Sequence, residues 1–464
     1  MATNLETELP FELHAKIFLS CLPLDGRVRP SSTEAPLVLA QVCRHWRAIV
    51  LAIPQLWNSI FFEFPRGSQY EGLSFLFGYE TAPVVDPTIA LVKLWFSRCE
   101  RYPLSITLRC RQAGVRVPDG LMELLKNTVN RWRRLELVVP TSDLAELGDV
   151  SGPFPSLQSL AIDITDDDWP LNLPLPRTLY TRSPHLASLR IPIPWINSGL
   201  YPFTTDAESM PLRTLEVAVH DLVLAVVVLD LFPHLHNLIL HKFYPSVGGS
   251  YGPSPVPTTG YLTCLVLDHF DFLNHITLPA LVHLGICIWS VEGSRAIVSF
   301  VQRSKCTLTR LTLRDAYIGR DMWSALLPVA ETVPSLELFS TAFLDGNQRI
   351  LLPQWHVLPH LQRLFIITHA FGDIYGIFLQ ALEGRCALIR VRLKVVPDAH
   401  PQRSLDPIPL PGNDVLARLR DLTAEDMHLT VETPTYRWPE GSSTEIDGSY
   451  NIFNPEESLA FFDW

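Results

Sequence analysis

The chain has 464 residues, 47% of them hydrophobic and 18% charged, with a formal net charge of -11 and a pI near 5.7. That length exceeds one ordinary domain, and so apolar a composition excludes general disorder and supports a large buried core. The acidic balance disfavours a general nucleic-acid or anionic-membrane binder, which needs a cationic surface.

Met1 to Leu9 carries two glutamates and no basic run, so no secretory signal is expected there. The longest apolar run, Leu222 to Leu229, is too short to span a bilayer. The eight cysteines are scattered without a Cys-x-x-Cys pair, a pattern that suits reduced thiols in the cytoplasm or nucleus. The 39 prolines are spread along the chain and read as punctuation between short elements.

In chain order, Leu9-Pro10-Phe11-Glu12-Leu13 predicts a helix start, with proline at an early position and Glu12 in the first turn. Leu9, Leu13 and Ile17 recur at helical spacing, and Phe18 and Cys21 widen the stripe into one apolar face. A loop from Pro23 to about Ser32 follows. Ser32 or Thr33 is then placed to cap a second helix with Pro36 in its first turn. A further stripe runs through Val42, Trp46, Ile49 and Ile53 until Pro54 ends it, and Leu56-Trp57 follow as an apolar plug. Three short helices cannot bury much surface alone, so their apolar faces need a partner or the rest of the chain.

These segments, Leu9-Pro10-x-Glu12-Leu13, Ile17-Phe18, Val42-Cys43-Arg44-x-Trp46-Arg47 and Pro54-x-Leu56-Trp57, resemble the F-box. The resemblance is to the F-box-like form abundant in mushroom-forming fungi, which carries a Pro/Ser loop after its first helix. It implies docking on a Skp-type adaptor that hangs on a cullin scaffold. Leu9, Pro10, Leu13, Ile17, Val42 and Cys43 would make the contact, with Trp46 beside them and nearer the module's own core.

Beyond residue 130 a Leu-x-x-Leu-x-Leu pattern repeats. Leu157-x-x-Leu160-x-Ile162 returns from Leu186, Leu212, Leu235, Leu262, Leu281, Leu308, Leu361 and Leu388, with looser copies at Trp132–Leu137 and Leu336–Phe339. From Leu135 to Val391 the fourth position advances 256 residues in ten steps, or 25.6 per step. That lies within the ~20–29 residue period of leucine-rich repeats. Each copy predicts a short parallel strand whose fourth and sixth positions point into a continuous core. Pro155, Pro184, Pro233, Pro334 and Pro359 precede several copies and can lead into extended backbone. Helix-capable stretches lie at Asp221–Phe232, Glu292–Arg303, Asp321–Val333 and Gly372–Leu382. Leu91–Leu108 reads as an earlier helix-and-strand unit. Asp163 and Asp268 stand loosely where many leucine-rich repeats carry asparagine.

Several motifs point to chemistry only weakly. Gly248-Gly249-Ser250-Tyr251-Gly252 has the nucleophile-elbow spelling, but Pro253, Pro255 and Pro257 forbid the helix that must follow the serine. His234, His236 and His241 lack a cysteine or carboxylate at ligand spacing, and Asp166-Asp167-Asp168 lacks the rest of a calcium loop. No cofactor, no metal and no catalysis by the chain itself are expected.

The third, fifth and seventh positions of each copy should face the open side of the sheet. They read Arg310, Thr312 and Arg314, then Arg363, then Arg390, Arg392 and Lys394. Arginine suits carboxylate and phosphate through its planar fork, so this strip is expected to take an acidic or phosphorylated protein segment.

The expected organisation is α plus α/β. A three-helix F-box-like module at 4–58 leads through a helix/strand unit at 59–130 into a leucine-rich-repeat-like solenoid at 131–430. A cap or mobile acidic tail follows at 431–464. The resemblance implies the substrate-recognition subunit of a ubiquitin ligase, with neither nucleic acid nor membrane as partner. The alternative is a repeat scaffold without ligase coupling.

Overall fold

The computed structural model describes residues 9–23, 26–64, 87–110, 116–147, 150, 152–165, 177–194, 211–218, 222–241, 260–314, 320–339, 358–369, 374–382, 388–396, 410–423, 427–433 and 436–439. The chain is α/β and divides into two compact units, residues 1–218 and 219–464. Among the described residues no helix is long and apolar enough to cross a membrane.

The first unit opens with α1 (Phe11–Ser20), α2 (Leu39–Val42) and α3 (Arg44–Ala52), closed by a 3-10 turn at Pro54–Trp57. Pro10 takes the cap position of α1, and Glu12 sits in the first turn as expected. The buried face of α1 is His14 and Phe18, whereas Leu9, Leu13, Ile17 and Cys21 are exposed. The stripe predicted as one apolar face is therefore two faces, since Phe18 lies on the opposite flank of the helix from Ile17. The second helix is a single turn. It begins at Leu39, well beyond Ser32 and Thr33, because Ser31 Oγ accepts from the Thr33 backbone N–H and holds that stretch as a turn. Cys43 caps α3, its Sγ accepting from Trp46 N at 3.3 Å.

Buried tryptophans join these helices to the sheet. Trp57 Nε1 donates to the Val50 carbonyl at 3.0 Å, Trp95 Nε1 donates to the Ser59 carbonyl at 3.0 Å, and the two rings meet edge-on at 4.8 Å. From here β1 (Ser59–Phe64), α4 (Pro87–Arg98), β2 (Leu104–Cys110), α5 (Asp119–Lys126), β3 (Trp132–Val139), α6 (Thr141–Leu147), β4 (Ser159–Ile164), α7 (Arg177–Thr181), β5 (Ser188–Pro194) and β6 (Thr214–Ala218) follow. The six strands pair in chain order and all in parallel. The helix-and-strand unit anticipated at Leu91–Leu108 is α4 and β2.

In the second unit come α8 (Leu222–Leu231), β7 (Asn237–His241), β8 (Cys264–Leu267), β9 (His283–Cys287), α9 (Val291–Ser304), β10 (Arg310–Arg314), α10 (Arg320–Ala330), β11 (Ser335–Phe339), β12 (Arg363–His369), α11 (Ile374–Leu382), β13 (Arg390–Val396), α12 (Asn413–Thr423), β14 (His428–Glu432) and β15 (Arg437–Trp438). Strands β7 to β14 pair in chain order and in parallel, and β15 turns back antiparallel on β14. Each of the four predicted helical stretches carries a helix, α8 to α11. The cap or tail expected at 431–464 contributes the end of β14 and all of β15, and residues 440–464 lie outside the described residues.

Every Leu-x-x-Leu-x-Leu copy is a strand, and the fourth positions are in register. In the second unit the row runs Leu238, Leu265, Leu284, Leu311, Leu336, Leu364, Val391 and Leu429, all buried. Parallel strands stack at ~4.8 Å, so these branched side chains touch their neighbours along the whole row. Each contributes roughly 1.5–3 kcal/mol by leaving water.

A carbonyl spine fixes the register where asparagine is lacking. The second-position carbonyl of one copy accepts two backbone N–H groups from the next. Gln158 receives Ala187 and Ser188, Thr263 receives Val282 and His283, and Gln362 receives Ile389 and Arg390. Pro334 occupies this second position, with buried Val333 as the first, and its carbonyl still accepts from Gln362 and Arg363. Proline is tolerated there because the spine needs the carbonyl, which proline retains.

Candidate binding surfaces

At the N-terminus, Leu9, Leu13, Ile17 and Val42 are about half exposed at 44%, 44%, 46% and 54%. Pro10 is also exposed, while Cys43 and Trp46 are half-buried. The Trp46 ring lies 4.9 Å from Phe18, so it belongs more to the packing beneath the surface than to the surface. These helices therefore present apolar side chains outward while His14, Phe18, Ile49 and Val50 pack inward.

The loop between α1 and α2 is tied to the sheet. Val28 O accepts from Phe61 N at 2.8 Å, and Ser59 Oγ donates to the Gly26 carbonyl. Arg27 reaches Glu136 at 3.4 Å, where Arg109 and Arg134 also converge, and Glu136 is buried. Arg27 and Arg29 lie over the Phe61 ring at 5.7 and 5.2 Å. The segment expected as a loop thus adds, through its carbonyls and Arg27, a second link between the N-terminal helices and the first strands.

On the second unit, a buried polar relay crosses four neighbouring strands. Cys264 Sγ lies 3.3 Å from His283 Nδ1, and His283 Nε2 lies 2.9 Å from Thr312 Oγ1. Thr312 in turn donates to Glu337 Oε2 at 2.7 Å, and Arg310 Nε sits 3.5 Å from the other oxygen of that carboxylate. Because the threonine proton goes to Glu337, its oxygen accepts from His283 Nε2–H. This leaves Nδ1 to accept from the thiol.

Burial pushes the Cys264 thiol up to about 12. Burial first, then the nearby Arg310 charge, pushes His283 down to about 3. Burial also raises Glu337, against the opposing pull of Arg310 and Thr312. A protonated thiol beside a neutral imidazole is the reverse of an activated nucleophile, which needs a thiolate. The relay orders the sheet face. Sequence reading missed it because the four residues are 19 to 29 positions apart. Aligning the copies on their leucines would have set them side by side at third and fifth positions.

The predicted cationic strip is partly neutralised. Arg310 pairs with Glu337, Arg314 Nη1 lies 3.7 Å from Asp268, and Arg392 is 2.6 Å from Glu432. Arg363 and Arg390 are exposed, and Lys394 is half-buried. Thr312 and Arg314 are buried, so these two positions do not form part of an open surface.

His241 does have a carboxylate beside it, contrary to the spacing argument: Asp268 Oδ2 is 3.5 Å from its Nδ1. Asp268, just past β8 at the seventh position of its copy and loosely where many leucine-rich repeats carry asparagine, bridges His241 and Arg314. His236 Nδ1 sits 2.8 Å from the His234 carbonyl. Among the described residues no three His, Cys, Asp or Glu side chains converge as metal ligands. Ser250 with its glycines and Asp166-Asp167-Asp168 lie outside the described residues.

The chain matches no protein-family model and no curated protein by sequence.

Proposed function

We propose that this chain is the substrate-recognition subunit of a Skp/cullin/F-box ubiquitin ligase. Its N-terminal helices would form an F-box-like module and its strand–helix copies a leucine-rich-repeat-like solenoid that captures a protein substrate. The observation that carries the reading is the outward placement of Leu9, Leu13, Ile17 and Val42. These are among the residues that the F-box resemblance assigns to the adaptor, and helices this short leave them uncovered in the chain by itself. An exposed apolar cluster of this kind marks a partner surface.

The function is one of proximity. A receptor holds a target lysine near chemistry carried by other subunits and thereby raises its effective concentration. The tie between the α1–α2 loop and β1 supports that role within the first unit, because it holds the adaptor-facing helices on the first strands.

The test is capture of a Skp-type adaptor by wild type and by a Leu13→Asp/Ile17→Asp variant. Both sites are exposed, so the variant should keep its circular dichroism spectrum and unfolding midpoint. Capture by wild type alone supports the receptor reading. Equal capture would place adaptor binding outside Leu13 and Ile17, and none by either leaves a repeat scaffold without ligase coupling.

A further inference from the structure

An aromatic cluster stands where β8 and β9 end. Trp289 is 49% exposed, the most exposed tryptophan among the described residues. It follows β9 and directly precedes Ser290, whose Oγ caps α9 by accepting from Gly293 N at 3.2 Å. His269 and Phe270 follow β8 and open a 3-10 turn at Phe270–His275. Their rings stack at 4.7 Å. The Trp289 indole stands across both, 5.1 Å from His269 and 6.3 Å from Phe270, at 62° and 59° to them. Gly293 makes room for this arrangement, since a Cβ there would come within 3.0 Å of Phe270 Cδ1. The indole is thus braced by neighbouring rings while about half of it stays in water.

The charge beside the cluster is negative. Asp271 Oδ2 lies 3.4 Å from His269 Nδ1, but that nitrogen accepts from the Asp271 backbone N–H at 3.2 Å and so has no proton to share. Burial, against the opposing pull of Asp271, also holds His269 below its ordinary value, so the imidazole is neutral at pH 7 and does not cancel the carboxylate. Among the described residues no arginine or lysine pairs with Asp271. Glu292 adds a second acid in the first turn of α9. Its own backbone N–H and the Ser290 hydroxyl hold it below the usual carboxylate range, with Arg295 alongside. Asp268, by contrast, is taken up by His241 and Arg314.

An exposed π face beside an ionised carboxylate suits a cation, which the ring quadrupole and the acid both attract. Trp289 and Asp271 flank the same imidazole, so the stem of a lysine or arginine can lie along the indole with its charged head toward the carboxylate. An apolar occupant would strip water from Asp271 without replacing it, and an anion would be repelled. We infer that the Trp289–Phe270–His269 cluster, with Asp271, docks a lysine or arginine side chain of a basic protein segment. The chain's formal charge of -11 favours such a partner at longer range. That the segment belongs to a ligase substrate rests on the receptor reading; that it is cationic rests on the cluster itself.

The test uses the full-length chain at low ionic strength and four fluorescent peptide pools with identical random flanks. Their central residue is lysine, arginine, acetyl-lysine or glutamate. Binding is read by anisotropy. The lysine pool, the arginine pool or both should bind wild type about 3- to 30-fold more tightly than the acetyl-lysine pool, with the glutamate pool weakest. Which of the two binds identifies the side chain. Trp289→Ala and Asp271→Asn should each reduce that preference, and Trp289→Phe, which keeps a ring, should retain part of it. Asp271→Asn changes charge but hardly shape, so it reads the site even if Trp289→Ala unfolds. Absence of binding by every pool, equal binding of the lysine, arginine and acetyl-lysine pools, or tightest binding of the glutamate pool would overturn the inference. So would a preference for the charged pools that either folded variant, Trp289→Ala or Asp271→Asn, leaves unchanged. Adaptor capture on the same preparations separates the two readings. A cation preference without adaptor capture keeps the docking cluster and sinks the ligase.

Discussion

Acid should unfold the second unit through His283, and the size of the effect follows from the relay. The imidazole is held neutral between Cys264 and Thr312, with its folded value pushed down to about 3 against an ordinary 6.5. In the unfolded chain the ring takes up a proton as pH falls through 6.5; in the folded chain it does not until about 3. The unfolded state therefore binds more protons across that window, so stability falls as pH falls. Integrating the linkage from pH 7 to pH 5 gives a loss of about 2 kcal/mol for this one group. The figure hardly depends on how far below 5 the folded value lies, because the folded ring stays neutral throughout. Glu337 acts in the opposite sense: its raised folded value makes the folded state the better proton binder from its ordinary 4.5 upward, so its contribution is lost as pH rises. Comparing wild type with His283→Gln cancels most of that opposing contribution, since Glu337 keeps Thr312 and Arg310 in both. The assay is urea unfolding at pH 7 and pH 5. Wild type should lose about 2 kcal/mol more than the variant over this range. Identical pH dependence in the two proteins would show that His283 ionises freely when folded, and the relay as described would be wrong.

Two further outcomes follow from packing. A Cβ on Gly285 would meet Val266 Cγ2 at 2.8 Å, so Gly285→Ala should lower stability by about 1–2 kcal/mol, and adding Val266→Ala should recover part of that loss in a double-mutant cycle. Glu136→Ala leaves Arg27, Arg109 and Arg134 facing one another and should cost about 2–3 kcal/mol in chemical denaturation, less at high salt, since the arginines are part-exposed and screened.

The leucine copies made the strands legible because one side of each strand is buried by its neighbours alike, which forces the same residue type at the same offset. Leu160, Leu284 and Leu393 could be placed from sequence for that reason. The first helix was read less well. Phe18 and Ile17 are adjacent in sequence and both apolar, and it is tertiary packing, Phe18 against Trp46 and His14, that turns one inward and leaves the other outward. The Ser32 cap failed for a local reason, since Ser31 engages Thr33 and holds a turn where a helix start was expected. The open face of the sheet was hardest of all. Arg310 and Arg363 both stand at the third position of their copies, yet one is half-buried against Glu337 and the other is exposed. The difference lies in residues of other strands, dozens of positions away.

That contrast explains how such a surface can carry specificity. Third, fifth and seventh positions are not held to leucine, and they range from buried apolar residues such as Ile239, Val266 and Ile367 to exposed Arg363. Where acids and bases alternate across strands, as at Arg190 and Glu216 or Arg310 and Glu337, the face satisfies itself and offers a partner little. Displacing such pairs would leave partly buried charges without counterparts, at a cost of several kcal/mol. A partner of such a face must therefore leave these pairs intact or replace each with contacts of equal strength.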